Sequence, residues 1–152
     1  MGSSSAQPRW LDDEQQRIWR LYLAGNGRIF SEMDAGLRPY GLDLGEYEIL
    51  VNLSESPEHS LRMSELASRV RQSRSRLTHT VGRMEAKGLM KRVPCDSDGR
   101  GVRAVLTEAG YDLLVKAAPD HVESVRQALV DVVDPDDFAA LGRAMQAVVD
   151  RT

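Results

Sequence analysis

A strongly basic stretch within an acidic chain is the feature that most constrains the fold. Residues 62–103 contain eleven Lys or Arg and four Asp or Glu, which gives this stretch a net charge of +7. The rest of the chain carries −10, so the overall charge of −3 hides a concentrated cationic segment. Such a surface attracts polyanions, of which DNA is the commonest. The basic stretch is therefore the first candidate for a binding surface.

Apolar periodicity divides the basic stretch into two short helices and a hairpin. The first predicted helix spans Met63 to Val70, and Leu61-Arg62 before it can form a short strand. The second spans about Ser73 to Lys87, with a serine able to cap its start and a glycine after its end. Residues 90–93 and 102–106 then alternate as strands around a loop rich in Pro, Asp and Gly. This is the element order of a winged helix-turn-helix.

The second predicted helix has two contrasting faces. Leu77, Val81 and Met84 recur at helical spacing and should point inward. The opposite face is small in the middle and cationic at its edge, as a helix that enters the major groove requires, because bulky side chains would keep its backbone away from the bases. A glycine in mid-helix, such as Gly82, lowers helix stability by roughly 1 kcal/mol relative to alanine. Close approach to DNA or a packing need would explain why a glycine stands there. The candidate DNA contacts on this helix are Ser73, Arg74, Ser75, Arg76, Thr78, His79 and Arg83.

The run LTHTVGRMEAKGLMKR at residues 77–92 resembles the recognition helix and first wing strand of the MarR-type winged helix-turn-helix transcription factors. The motifs DGRG at 98–101 and LTEAG at 106–110 follow at the usual distance, and the resemblance covers nearly the whole chain after about residue 11. Many relatives have an arginine where His79 stands and an acidic residue where Gly82 stands. Base preference therefore does not transfer from the family.

The resemblance implies a mainly α fold with a small β-hairpin, in one domain over residues 11–152. A winged helix-turn-helix lobe at about 43–106 would be flanked by dimerisation helices at about 11–37 and 107–151, with residues 1–10 disordered or vector-derived. It also implies a homodimer that binds palindromic double-stranded DNA, usually as a repressor, and many members release DNA when they bind a small aromatic acid or when a cysteine is oxidised. Arg100 would contact the minor groove from the wing, and Asp98 would brace it or simply form the turn.

The predicted outer helices bear apolar faces that the small basic lobe cannot cover, so we expect a second subunit to cover them. Trp19 and Tyr22 on these helices allow two interpretations, core packing or the lining of an effector pocket. The candidate pocket residues are Trp19, Tyr22, Phe30, Tyr47 and Tyr111, with Arg17, Arg20 or Arg28 as partner for an acidic effector. A regulator without any small-molecule effector remains the alternative.

Other classes of function find little support in the sequence. One cysteine, Cys95, excludes an internal disulfide and cannot alone make a zinc site. We expect it to be exposed in the hairpin loop, where a lone cysteine is a redox switch or incidental. His59, His79 and His121 are too scattered for a metal site, and no catalytic constellation or cofactor motif is present. A winged-helix module that binds protein would not need a small outer face beside a basic wing. No apolar run approaches the roughly 20 residues of a membrane span, so we expect a cytoplasmic protein with no membrane association.

Overall fold

The structure is a computed structural model, which describes residues 8–70, 72–95 and 101–151. Asp98 and Arg100 of the predicted wing lie outside the described residues, as do residues 1–7 of the predicted disordered N-terminus. The described residues form six α-helices and three strands. In chain order these are α1 (Asp13–Leu37), α2 (Leu44–Ser54), β1 (Ser60–Arg62), α3 (Met63–Arg69), α4 (Arg74–Ala86), β2 (Met90–Pro94), β3 (Val102–Leu106), α5 (Glu108–Val125) and α6 (Pro135–Val149). Short 3-10 turns lie at Arg38–Tyr40 and Pro57–His59, and a π-helical segment at Arg126–Val130 continues α5.

Side-chain caps fix where the helices begin. Asp12 and Asp43 each accept a hydrogen bond from the third residue of the helix that follows and complete a capping box, so α1 starts at Asp13, two residues later than the periodicity suggests. Thr107 caps α5 in the same way through its hydroxyl. Asp134 caps α6, which has a proline at its first position, as the sequence predicts.

The predicted hairpin is part of a three-stranded antiparallel sheet with strand order β1-β3-β2. β2 and β3 form the hairpin, and β1 pairs with the other edge of β3, where Leu61 lies opposite Ala104. The mainly α fold class and the short strand at Leu61-Arg62 are therefore confirmed. This sheet lies beside α3 and α4 and completes a winged helix-turn-helix lobe.

A single apolar core holds this lobe together. Leu50, Leu53, Leu66 and Val81 from α2, α3 and α4 are completely buried. The first half of α5 joins them through Leu114 and Ala117, and the Tyr40 hydroxyl donates a hydrogen bond to Asp120 of the same helix. The lobe is thus anchored to the base of α5, while Leu37 anchors the end of α1 in the same core.

The outer helices leave their apolar faces uncovered. None of the side chains of α6 is buried, and in α1 only Leu37 is. Trp19 and Tyr22 stack on each other with ring centroids 5.8 Å apart, yet 49% and 42% of their surfaces remain exposed. Within one chain these two residues are therefore not buried, and their packing in a core would need a second chain.

Candidate nucleic-acid interface

Helix α4 is held rigidly at both ends. At its start the Arg76 backbone N–H donates to Ser73 Oγ at 3.3 Å. At its end Gly88 adopts a left-handed φ of 73°, and the backbone N–H groups of Gly88 and Leu89 donate to the carbonyls of Glu85 and Met84. This pair of bonds is a Schellman motif, which needs a residue without a side-chain penalty at positive φ. The helix therefore presents a fixed face to solvent.

The outward face of α4 is the one expected from the sequence. Leu77, Val81 and Met84 are buried, as is Thr80, which the sequence pattern does not mark as inward. The predicted contacts are all exposed, and they are Ser73, Arg74, Ser75, Arg76, Thr78, His79 and Arg83. Whether each of them contacts DNA stays a prediction.

Individual groups on this face differ in their freedom to bind a ligand. The Ser73 hydroxyl already accepts the capping bond, and the Thr78 hydroxyl donates to the Arg74 carbonyl at 2.8 Å. Within the described residues, Arg74 and Arg76 form no ion pair. Their guanidinium groups therefore remain open for phosphate or base contacts.

Gly82 has no packing reason within the described part of the chain. A Cβ atom placed on it would have no heavy atom of that part within 4 Å. Of the two explanations for this glycine, intrachain packing is therefore wrong. The empty space lies on the α4 surface between the rows of candidate contacts, where a base edge could come close to the helix backbone.

An ion-pair brace joins α4 to the wing. The Glu85 carboxylate accepts hydrogen bonds from the Arg92 backbone N–H at 2.7 Å and from its guanidinium nitrogens Nε and Nη2 at 2.9 and 2.6 Å. The side-chain hydrogen bond to Arg92 lowers the pKa of Glu85 below its ordinary value. The sequence did not reveal this pair, because the two residues meet only when β2 turns back beside α4.

Cys95 is buried at the base of the wing rather than exposed. Only 4% of its surface is accessible, and its backbone N–H donates to the Gly101 carbonyl at 2.8 Å. A Cβ atom on Gly101 would lie 2.9 Å from Cys95 Sγ, which shows how closely the two strand ends approach. The view of Cys95 as an exposed loop thiol is therefore wrong.

A second charge cluster ties α4 to α2. Arg83 Nη2 lies 3.2 Å from Asp43 Oδ2, and Arg83 Nε lies 3.7 Å from Glu46 Oε1. Lys87 Nζ donates to Glu46 Oε1 at 2.9 Å, to Glu46 Oε2 at 3.1 Å and to the Gly41 carbonyl at 2.8 Å. Glu46 is only 2% exposed, although the sequence identifies it merely as a capping residue.

An open cavity of about 1230 Å³ lies between α1, α2, α4 and α5. Tyr47 and His121 pack together in its wall with ring centroids 4.2 Å apart, and burial raises the pKa of Tyr47 and lowers that of His121. In the described structure Gln72 Oε1 and His121 Nδ1 are buried without a hydrogen-bond partner, and both residues line this cavity.

Only part of the predicted effector pocket comes together there. Phe30 and Tyr47 line the cavity, but the other three aromatic residues do not. Trp19 and Tyr22 precede Phe30 by two turns or more of α1, at about 1.5 Å per residue. Tyr111 stacks instead on His59, with ring centroids 5.4 Å apart.

The predicted carboxylate partners are also displaced from the cavity. Arg17 and Arg28 pair with Glu14 and Glu32 on α1, at 2.7 and 2.9 Å, and Arg20 lies near the N-terminal end of that helix. Arg28 lies within one turn of Phe30 but pairs with Glu32 and does not line the cavity, whereas Arg17 and Arg20 precede Phe30 by more than two turns of α1. The cations in the cavity wall belong to α4 instead and are Arg76 and Arg83.

Two further properties concern only the residues that the structure describes. No group of three or more His, Cys, Asp or Glu among them is arranged to hold a metal ion. None of their helices is both long enough and apolar enough to cross a membrane.

Known proteins share this architecture. A model of the MarR family matches residues 40–101. AbsC of Streptomyces coelicolor, a MarR family transcriptional regulator, is 44% identical, with a TM-score of 0.88 over 94% of this chain and 97% of its own. Sco3205 of the same organism, a MarR family regulator solved in complex with DNA, is 41% identical, with a TM-score of 0.90 over 96% and 92% of the two chains. The transcriptional regulator PecS of Dickeya dadantii is 27% identical over 121 residues, which are 77% of this chain and 73% of PecS. The chain therefore belongs to the MarR family, a non-enzymatic family of transcriptional regulators.

Proposed function

We propose that this regulator is a homodimer that binds a palindromic DNA site through α4 and represses transcription there. The observation that carries the proposal is the outer face of α4, where exposed arginines surround an open, side-chain-free position at Gly82. The similarity to Sco3205, which was solved with DNA, supports the same use of this helix. Arg100 would add a minor-groove contact from the wing, and Asp98 would support it.

The dimer follows from the uncovered apolar faces of α1 and α6. Ile18 and Val148 are 54% and 63% exposed in one chain, and neighbouring large apolar residues are similarly open. A second copy that covers both helices would form an obligate interface of more than about 2,000 Å². Two lobes related by a two-fold axis would place their α4 helices in successive major grooves, so the site should be a palindrome with half-sites about one helical turn apart.

The proposal is tested by titrating labelled DNA from upstream of the protein's own gene and a random duplex of equal length. We expect a clear preference for the upstream DNA, and affinity that falls steeply with salt as phosphate contacts release counterions. Arg76→Ala should weaken binding, whereas Arg28→Ala, which removes an arginine paired with Glu32 on α1, should leave it unchanged. Equal affinity for both duplexes would contradict sequence-specific binding.

A small-molecule effector is a second part of the proposal, supported by the two unpartnered atoms in the cavity. A flat aromatic compound with an N–H or O–H group could donate a hydrogen bond to Gln72 Oε1 and pair with His121 Nδ1, and an acidic group on it could pair with Arg76 or Arg83 of the cavity wall. Arg76 and His79 belong both to the cavity wall and to the exposed face of α4, so a bound compound would alter groups needed for DNA.

Reciprocal titration tests the effector. By linkage, a compound that weakens DNA binding must itself bind more weakly when the DNA site is present, by the same factor. A coupling of about 1–3 kcal/mol corresponds to a 5- to 150-fold change. A compound that binds equally well with and without DNA is no effector. The alternative is a regulator without any effector, controlled by its amount alone.

A further inference from the structure

Arg83 lies on the DNA-facing helix, but its half-exposed guanidinium group is already engaged in ion pairs with acidic residues of the protein itself. It lies within ion-pair distance of Asp43 and Glu46, the N-cap and third helical residue of α2. Lys87, one turn further along the chain, completes the cluster by binding Glu46 and the Gly41 carbonyl. Two acidic and two basic side chains thus balance each other, and we name this group the α2–α4 clamp.

Glu46 is the centre of the clamp. Glu46 is 2% exposed, and its carboxylate accepts hydrogen bonds from the Asp43 backbone N–H at 3.1 Å and from Lys87 Nζ at 2.9 and 3.1 Å. A buried carboxylate with several charge-assisted partners has a narrow choice of geometry, because losing any partner leaves charge unpaired in a dry environment. Glu46 therefore ties the C-terminal end of α4 to the start of α2 through directional, charge-assisted contacts.

The apolar core also holds α4 in place. Val81 and Met84 are completely buried and pack closely against the lobe. The polar clamp adds directional contacts on the side of α4 that borders α2, where the core residues do not reach solvent.

We propose that Glu46 and Arg83 are positioning residues. They set the orientation of α4 relative to the DNA, and thereby the preference for one DNA sequence, without themselves contacting a base. This inference rests on the proposed function. Base readout requires donors and acceptors held within about 0.5 Å of their productive place, whereas long Arg or Lys side chains can follow a phosphate when the helix shifts. Loosening the clamp should therefore reduce sequence discrimination and leave binding to random duplex nearly unchanged.

The variants are chosen to separate the ion pairs from the helix cap. Glu46→Gln keeps a hydrogen-bond acceptor for the Asp43 N–H but removes the buried charge. Asp43→Asn keeps a good N-cap and removes only the pair with Arg83. Arg83→Gln removes the cation and Arg83→Lys restores it. Asp131→Asn, which breaks an exposed pair with Arg126 at 2.6 Å after α5, is the matched control.

The readout is the ratio of affinities for the preferred site and a random duplex, measured on the full chain at several salt concentrations. We expect Glu46→Gln to lower this ratio about tenfold, within the range of one lost bidentate base contact. Asp43→Asn and Arg83→Gln should each lower the affinity ratio about threefold, because a half-exposed ion pair contributes less than a buried one. Their double variant should be no worse than either alone, Arg83→Lys should recover most of the loss, and Asp131→Asn should have no effect.

Two results would overturn the inference. The first is a fall of about 0.9 in the slope of log affinity against log salt for Arg83→Gln, the mark of a lost direct phosphate contact. The second is an unchanged ratio in all clamp variants while the wild type discriminates well. If Glu46→Gln fails to fold by circular dichroism, Asp43→Asn and Arg83→Gln decide the matter alone. A wild type without any sequence preference would instead contradict the proposed function.

Discussion

The winged lobe and the outer helices are built from similar amphipathic segments, but the apolar faces of the lobe are buried, whereas those of the outer helices are exposed. In the lobe, Leu50 and Val81 are completely buried. On the outer helices, Ile18 and Val148 remain more than half exposed. The lobe is therefore self-sufficient in a single chain, and the outer helices carry a surface that one chain cannot bury. Residues that stabilise the fold of one chain can thus be told apart from residues whose exposed surface a second chain would cover.

The largest effect should follow from removing α6. Deleting residues 135–152 takes away one of the two uncovered faces and leaves α1 without its proposed partner surface. We expect an aggregating or unfolded chain, because a large exposed apolar patch on a soluble protein promotes association. Light scattering of the purified truncation measures this directly. A stable, monodisperse monomer would break the proposed division between lobe and outer helices.

The second prediction contrasts one buried and one exposed leucine-sized residue. Leu50→Ala should lower the free energy of unfolding by about 2–5 kcal/mol at any protein concentration, because it leaves a cavity in the lobe. Ile18→Asp should act through the dimer, so its deficit relative to the wild type should be largest at high protein concentration and should shrink on dilution, as the wild type itself dissociates. Thermal melts of both variants and of the wild type over a hundredfold range of concentration distinguish the two. The comparison would fail if the deficit of Ile18→Asp relative to the wild type were the same at every concentration.

Gly82→Ala on α4 should change the stability of the fold and the affinity for DNA in opposite directions. Because the added methyl group meets open space, we expect the free energy of unfolding to rise by up to about 1 kcal/mol. The same methyl would stand between the helix backbone and the bases, so affinity for the preferred DNA should fall. Urea unfolding and DNA titration of one preparation give both values. A stabilised variant with unchanged affinity would show that DNA does not approach α4 at this point.

The smallest predicted effect is the pH dependence of the wing brace. Because Arg92 lowers the pKa of Glu85 from its ordinary value of 4.5, the brace stabilises the fold fully above that pH. Its contribution is lost as the pH falls below about 4.5 and through the lowered folded pKa of Glu85. Both side chains are partly solvated, so the contribution is at most about 1 kcal/mol.

Glu85→Gln is the variant that measures this contribution. The difference in urea midpoint between wild type and variant should be constant at neutral pH and shrink as the pH falls through the acid range. Arg126 with Asp131 offers an exposed reference pair far from the wing. A difference that does not change with pH would mean that the Glu85 charge contributes nothing to stability.

The parts of the molecule governed by local chemistry were predictable from the sequence. Asp43 and Thr107 cap helices because their side chains reach backbone N–H groups three residues away, and the inward face of α4 follows from helical spacing alone. The pairing of Glu46 with Lys87 was not predictable, since it depends on how α2 and α4 pack. Cys95 was misjudged for the same reason, because its burial comes from the approach of Gly101 across the wing.

The effector pocket illustrates the same limit at larger scale. The sequence marks aromatic residues but not which of them face one space, and only Phe30 and Tyr47 do so. The cations of that cavity come from α4, the helix already assigned to DNA, rather than from α1. Gln72 and His121 gave no sequence signal, because an unpartnered atom is a property of the assembled structure.

The most direct test of the account is the mass of the complex formed on the protein's own upstream DNA, measured by light scattering after size-exclusion chromatography. One chain has a mass of 16.9 kDa. We expect two chains per palindromic duplex at every ratio of protein to DNA, and no complex of that mass on a random duplex under the same salt conditions. One chain per duplex, or an equal yield of complex on both DNAs, would contradict a homodimer that recognises its site through paired α4 helices.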